Sequence, residues 1–415
     1  MHSKIFKQDK RLFAMNTATR VQLSAMMFLN FFIWGIWFVT MNSYLGSIGA
    51  TGAEVGQAYS TQSWGAIIAP FIIGIIADRY VAAQKMLGIL HIAGAVLMYL
   101  LYKQEHFTGF YSYLLPYMVL FMPTLALVNA IAFKQLSDPE KEFSFYRVWG
   151  TIGWIIAGLL VGWMAWGGKE LGNTFLYASI TSGLLGVFSF FLPNTPPPKQ
   201  GSSVSVKEIL GLDSLKLLLN KNYLVFFLAS MLICIPLAFY YSNAEPFAKE
   251  ILKVKNAAGY MSIGQAAETL FMFLMPWFFA RFNVKKMLLF GMLAWTLRYL
   301  CFGFAGGAGS LLVILGIGFH GICYDFFFVT GQIYTDQVAG EKIRSAAQGM
   351  ITLATYGLGM LVGFWVAGKI VDAYKVNEVI QWKNVWLIPS GIAAAIALLF
   401  FLLFSDNKST AKANH

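Results

Sequence analysis

VQLSAMMFLNFFIWGIWFVTMNSYL, residues 21–45, carries no charged side chain from end to end. As a helix rising about 1.5 Å per residue it outreaches the roughly 30 Å of a bilayer's hydrocarbon core. It is longer than the apolar centre of a cleavable signal, which runs to about 15 residues. A polar, basic stretch with Lys4, Lys7, Lys10, Arg11 and Arg20 precedes it. The segment therefore reads as a retained first membrane span.

The rest of the chain repeats the pattern. Of 415 residues, 58% are hydrophobic and 12% charged, against about 25% charged in an ordinary soluble domain. Charge-free intervals place spans near 21–45, 55–77, 86–102, 112–133, 147–168, 173–193, 222–244, 257–280, 287–305, 309–332, 345–368 and 384–405. No charge divides 305 from 309, and the Gly-rich stretch Gly303 to Gly309 marks that turn. The expected fold is an all-α membrane protein with twelve transmembrane helices in two six-helix halves. The halves are residues 1–193 and 222–415, and the Pro-rich, polar segment 194–221 is their linker.

Positive charge orients the chain. Lys and Arg concentrate in the N-terminal tail and in the alternate connections that share its side, whereas the opposite loop 46–54 has neither. Excess positive charge marks the cytoplasm, so both termini are expected inside. The net charge of +11 is spread between apolar runs, not gathered on a face or tail, which speaks against a nucleic-acid partner. Cys234, Cys301 and Cys323 fall in apolar stretches and read as buried thiols, not a disulfide framework.

A charge inside a span is costly unless it has a partner or a wet cavity. Glu268, Asp325 and Arg298 lie within expected spans, and Arg147 opens the fifth. Gln265 and Glu268 are three apart and share a helix face. Arg147, Thr151 and Trp154 are spaced four and three, and His320 and Tyr324 four, with Asp325 adjacent. A cavity holding carboxylates, a guanidinium, an amide and aromatic rings suits a flat, hydroxylated, polar ligand. Each residue also has a plainer reading. Glu268 and Asp325 could pair with structural arginines, Arg298 could be structural, and His320 could donate to a backbone carbonyl. His91 reads as structural, while Asn30, Asn42, Gln62 and Asn129 read as links between helices.

Other chemistry finds no support. Gly357, Gly359 and Gly363 have the wrong spacing for a dinucleotide loop and read as helix-packing positions. The sequence contains no Walker loop, metal-ligand spacing or Ser-His-Asp arrangement. No cofactor is expected.

The motifs then carry a resemblance. Pro70, Gly74, Asp78, Arg79 and Lys85 after the second span are echoed half a chain later by Pro276, Arg281, Lys285 and Lys286. Likewise Arg147 opens the fifth span and Arg344 the eleventh. The turn Gly74-x-x-x-Asp78-Arg79 resembles the signature of the major facilitator superfamily, although the usual Gly-Arg-Arg ending is replaced by Tyr80-Val81-Ala82. Met122 to Asn129 (MPTLALVN), Arg147 to Gly153 (RVWGTIG), Gln265 to Glu268 (QAAE), Tyr324-Asp325 and Arg344 to Gly349 (RSAAQG) resemble, in order, the bacterial nucleoside–proton symporters of that superfamily.

The resemblance implies nucleoside uptake driven by protons through alternating access, with a monomer as the working unit in the bacterial inner membrane. It implies a nucleoside site of Arg147, Thr151, Trp154, Gln265, Glu268, Tyr324 and Asp325, with Glu268 and Asp325 as the acids for proton coupling. Two departures stand out. Ala238 and Tyr241 occupy the places of a seventh-helix amide pair, and Trp154 stands where a Phe is usual. A purine preference stays open. So does a symporter for another polar solute such as a sugar or a nucleobase. A membrane receptor or embedded enzyme is the remote reading, because neither an output domain nor a catalytic constellation is present.

Overall fold

Asn16 starts the described chain by accepting the Thr19 N–H, which caps helix α1, Thr17–Phe38. The computed structural model describes residues 16–69, 75–197 and 212–405. Pro70 and Gly74 of the expected signature turn, both terminal tails and residues 198–211 of the expected linker lie outside the described residues. After α1 come α2 (Met41–Ser47), α3 (Gly52–Ala69), α4 (Ile75–Arg79), α5 (Ala83–Tyr102), α6 (Phe107–Gln135), α7 (Pro139–Met164) and α8 (Asn173–Ser189). The second group is α9 (Lys221–Leu252), α10 (Ala258–Phe279), α11 (Val284–Ala308), α12 (Ser310–Gly318), α13 (His320–Tyr324), α14 (Thr330–Thr352), α15 (Met360–Ala373) and α16 (Trp382–Leu403). A two-residue hairpin, Lys375–Val376 with Val379–Ile380, precedes α16.

Among the described residues ten helical stretches are long and apolar enough to cross a membrane. The spans expected at 55–77 and 257–280 fall on α3 and α10, which stand apart from those ten. Both carry a group of polar side chains along their length. α3 buries Ser60, Thr61, Gln62 and Ser63, and α10 carries Ser262, Gln265, Glu268 and Thr269. The exposed surface is apolar: Ile89, Ile92, Val96 and Tyr99 run along one face of α5, and Leu398, Leu399, Phe401 and Leu402 along α16. Such a belt is tolerable against lipid and not against water. The protein is a multi-pass membrane protein.

The turn expected across Gly303 to Gly309 is narrower than expected. Gly303 and Gly306 lie inside α11, and the break falls at Gly309, whose φ of 73° a side chain would strain. A second such break at Gly340 (φ 65°) folds α14 back on itself. Beyond it Arg344 approaches Asp336 at 3.7 Å, and Gln348 donates to the same carboxylate at 2.7 Å. Two wide π-helical turns, Asp325–Val329 and Leu353–Gly359, interrupt the helices on either side of Thr330–Thr352.

Packing sorts the helices into two clusters. α1 lies on α7 and α8, and α5 on α6 and α8; α9 lies on α15 and α16, and α11 on α16. The clusters meet along two seams, α3 against α15 and α7 against α10. Bare backbones touch there. A Cβ on Gly56 would lie 2.4 Å from the Phe364 carbonyl, and one on Gly368 would lie 2.4 Å from that of Gly52. At the second seam a Cβ on Gly162 would lie 3.2 Å from the Cα of Gly259. Gly359 and Gly363 do pack helices. A Cβ on Gly359 would lie 2.3 Å from the Met231 carbonyl, which explains their place on the α9–α15 contact.

Hydrogen bonds between the clusters gather at one end of these seams. Asp372 caps α3 by accepting from Gly52 N (2.7 Å) and Ala53 N (2.8 Å). Asn256 donates to the Trp166 carbonyl at 2.8 Å. Asn42 donates to the Ser242 carbonyl and to Asn243. The Ser43 hydroxyl and Glu245 Oε2 share a hydrogen bond, and Glu245 also accepts from Ala257 N at 2.8 Å.

Candidate functional site

Six of the seven expected site residues meet at one cavity, of about 290 Å³, between the clusters. That is near the lower limit for small-molecule clefts, roughly 300–1,000 Å³. α7 brings Arg147, Gly150, Thr151 and Trp154; α10 brings Gln265 and Glu268; α13 brings His320 and Tyr324. Phe31 and Trp34 of α1, Met122, Leu125 and Asn129 of α6, Tyr241 of α9, Thr352 and Tyr356 complete the wall.

The α7 motif explains its own glycines. A Cβ on Gly153 would strike the Phe28 carbonyl at 2.3 Å, so this glycine seats α7 against α1. A Cβ on Gly150 would come within 2.8 Å of the Arg147 guanidinium, so this one leaves the side chain room to turn in. The guanidinium then lies over the Phe31 ring, 4.2 Å from its centroid, a cation–π contact. Trp154 packs edge-on against Trp34 at 5.3 Å while keeping a face on the cavity.

Asp325 departs from the expected site. It does not line the cavity; it is fully buried, and neither carboxylate oxygen has a hydrogen-bond partner. The reason is geometric. Neighbouring residues on a helix point about 100° apart, so Tyr324 and Asp325 cannot share a face. Asp325 instead opens the π-helical turn behind the wall, beside a run of three phenylalanines.

Two residues that have structural readings in the sequence come to the site. His320 lines the cavity, and its partners are side chains, not a backbone carbonyl. Its Nδ1 is 3.3 Å from Arg298 Nη1, and its Nε2 is 3.6 Å from Glu268 Oε2. Arg298 is fully buried, with its Cζ 3.3 Å from the centre of the Tyr240 ring. A row of ionisable groups thus runs from the packed interior to the cavity: Arg298, His320, Glu268. Tyr324 and Tyr356 touch through their hydroxyls.

The amide set divides. Asn30 bonds His91 at 2.9 Å, and His91 meets Ser182 at 3.0 Å, a link among α1, α5 and α8 as expected. Asn42 also joins helices, and Gln62 approaches Met360. Asn129 does not: it lines the cavity and its Oδ1 has no partner. Of the seventh-helix departures, Tyr241 lines the cavity, while Ala238 is buried where a Gly363 Cβ would meet it at 2.7 Å. Tyr356, Phe31 and Thr352 carried no signal in the sequence beyond being ordinary apolar or hydroxyl residues of a span.

Glu245 is a further correction. With the seventh span ending at 244, Glu268 and Asp325 stand as the acids within spans. α9 instead continues to Leu252, and Glu245 is 2% exposed. Among the described residues no group of three or more His, Cys, Asp or Glu could hold a metal. Cys234, Cys301 and Cys323 are unpaired thiols.

Residues 15–409 match the nucleoside H+ symporter family. The chain belongs to that family. The chain is 43% identical to "Putative nucleoside transporter YegT" of Escherichia coli (strain K12), over 95% of this chain and 96% of the relative. It is 34% identical to xanthosine permease of the same organism, over 95% and 98%. The crystal structure of nucleoside transporter NupG superposes with a TM-score of 0.84 at 31% identity, over 94% of this chain and all of that one. These relatives are transporters and permeases, not enzymes.

Proposed function

We propose that the protein takes up nucleosides together with protons across the bacterial inner membrane by alternating access. The observation that carries this reading is the convergence of Arg147, Thr151, Trp154, Gln265, Glu268 and Tyr324 on one cavity where two helix clusters meet. Aromatic faces suit a base, and the guanidinium, amide and carboxylate suit ring edges and ribose hydroxyls. Names among the relatives support the substrate class.

In this reading the clusters are two six-helix halves, residues 1–193 and 222–415, joined by a cytoplasmic linker at 194–221. α3 and α10 complete twelve spans, both termini face the cytoplasm, and a monomer is the working unit in the lipid. The seam hydrogen bonds around Asn42, Ser43, Glu245, Asn256 and Asp372 then lie outside, so the state described is sealed outward. The halves rock to open the cavity to either side in turn. Glu268 contacts solute and carries the proton, with Asp325 as a buried partner behind it.

The experiment is uptake of labelled uridine and adenosine into proteoliposomes by the wild type, Glu268→Gln and Asp325→Asn, with and without an inward proton gradient. Loss of gradient-driven accumulation in Glu268→Gln, with exchange retained, supports the reading. Full accumulation in both variants overturns it, and competition by ribose or free bases but not nucleosides overturns the substrate class.

A further inference from the structure

Glu245 is absent from the cavity lining, and its carboxyl chemistry plays no part in the proton coupling proposed above. Three elements enclose it: Ser43 comes from α2, the residue itself is on α9, and Ala257 N precedes α10. The other ionisable groups facing it are the Tyr59 hydroxyl from α3, Tyr240 and Tyr241 on its own helix, and Lys249 one turn further out. No cation touches it among the described residues, and an ionised carboxylate sealed in such a place is costly.

The partners can accommodate the neutral acid, and burial favours it over the ionised form. Oε1 faces a backbone N–H, which can only donate, so that oxygen is the acceptor. Oε2 faces a hydroxyl, which can give or take a hydrogen, so an O–H on Oε2 is satisfied by Ser43. A narrow void of about 20 Å³ lies beside it and shares Trp154, Tyr241 and Gln265 with the cavity wall. That is room for about one water. Gln265 Oε1, buried there, has no partner.

We propose that Glu245 is a second proton-binding site, at the outer gate: it takes a proton from the outside solution while the gate is open and is buried as the neutral acid when α2 closes onto α9 and α10. Closing the outer gate and loading a proton are then one event. This rests on the orientation given under Proposed function. It needs no assumption about the solute. The sign follows by linkage, since a form favoured by closure itself favours closure: acidifying the outside shifts the protein toward the sealed state.

A reporter cysteine at Val39, which lines the void, tests this in a Cys301→Ser background. Right-side-out vesicles are treated with a membrane-impermeant thiol reagent, with inside-out vesicles as the control. Labelling from outside is expected to slow by roughly threefold or more between about pH 8 and about pH 5, after correction for thiolate content. Glu245→Gln, neutral at every pH, is expected to label slowly throughout with no remaining slope. Glu245→Asp is expected to restore a slope. An unchanged slope in Glu245→Gln, or its loss in Glu268→Gln with retention in Glu245→Gln, overturns the proposal. Labelling from the inside alone overturns both the orientation and the proposal. Thermal unfolding of each variant in detergent verifies that slow labelling is closure and not misfolding. Absence of nucleoside uptake alongside a Glu245-dependent slope would sink the solute assignment and leave the gate intact.

Discussion

Arg298 donates to His320, and the pairing decides which nitrogen of the imidazole holds its proton. A guanidinium has five donors and no acceptor. The Nδ1 it faces at 3.3 Å must therefore accept, and the neutral ring carries its hydrogen on Nε2, the atom turned toward Glu268. Gly264 permits this, because a Cβ there would press on the His320 Cβ at 3.2 Å. His320→Gln keeps an acceptor for Arg298 and a donor for Glu268. It is expected to retain nucleoside binding within about threefold, whereas His320→Leu loses about tenfold or more, equivalent to a buried donor left unpaired. Isothermal titration of the purified variants with uridine and adenosine checks the pair, and equal losses in both would remove the tautomer from the account.

Arg147 is expected to be indispensable for affinity and dispensable for folding. Its guanidinium faces the cavity over Phe31. Arg147→Ala should raise the dissociation constant by roughly 10- to 100-fold, the range for a lost charge-assisted hydrogen bond. Arg147→Lys should recover only part, since an ammonium neither stacks flat on the ring nor forks. Detergent unfolding temperatures near wild type, measured beside the titrations, are the accompanying expectation.

His91 gives the opposite pattern. It ties Asn30 to Ser182, and none of the three lines the cavity. His91→Leu orphans the buried Asn30 amide oxygen, while the Ser182 hydroxyl keeps the backbone carbonyl of residue 91, and should cost about 1–3 kcal/mol of stability with affinity unchanged. Thermal unfolding against binding separates the two, and a selective loss of affinity would place His91 in the transport path.

Gly359→Val tests the α9–α15 contact. The new side chain meets the Met231 carbonyl, so overpacking of about 1–3 kcal/mol or more is expected. Lower yield of monodisperse protein in detergent is the readout. Gly391→Ala on α16, where a Cβ meets nothing, is the matching control.

Much of this was legible in the order of residues, for identifiable reasons. Spans follow from hydropathy because lipid permits little else, and the spacing of Arg147, Thr151 and Trp154 fixed one helix face. What escaped was direction across helices. Nothing local says that Arg298 reaches His320, because the two lie on different helices. The adjacency of Tyr324 and Asp325 reads as one site, yet a helix turns adjacent residues apart. Glu245 is hidden in the sequence because a charge ends a charge-free interval, while a dry acid with two hydrogen-bond partners can lie within a span. Asn129 has the composition of a helix-to-helix link, and only its free oxygen in the cavity wall separates it from Asn30.

The seams between the clusters are lined by Gly52, Gly56 and Gly368 on one side and by Gly162 and Gly259 on the other. Main chain meets main chain at Gly56, Gly368, Gly162 and Gly259. Tilting one cluster on the other would demand few rotamer changes at these points, which makes them a bearing rather than a lock. In the proposed rocking the holding force is left to the few polar clasps nearby, so the ease of the stroke and the tightness of the seal would be tuned by separate residues.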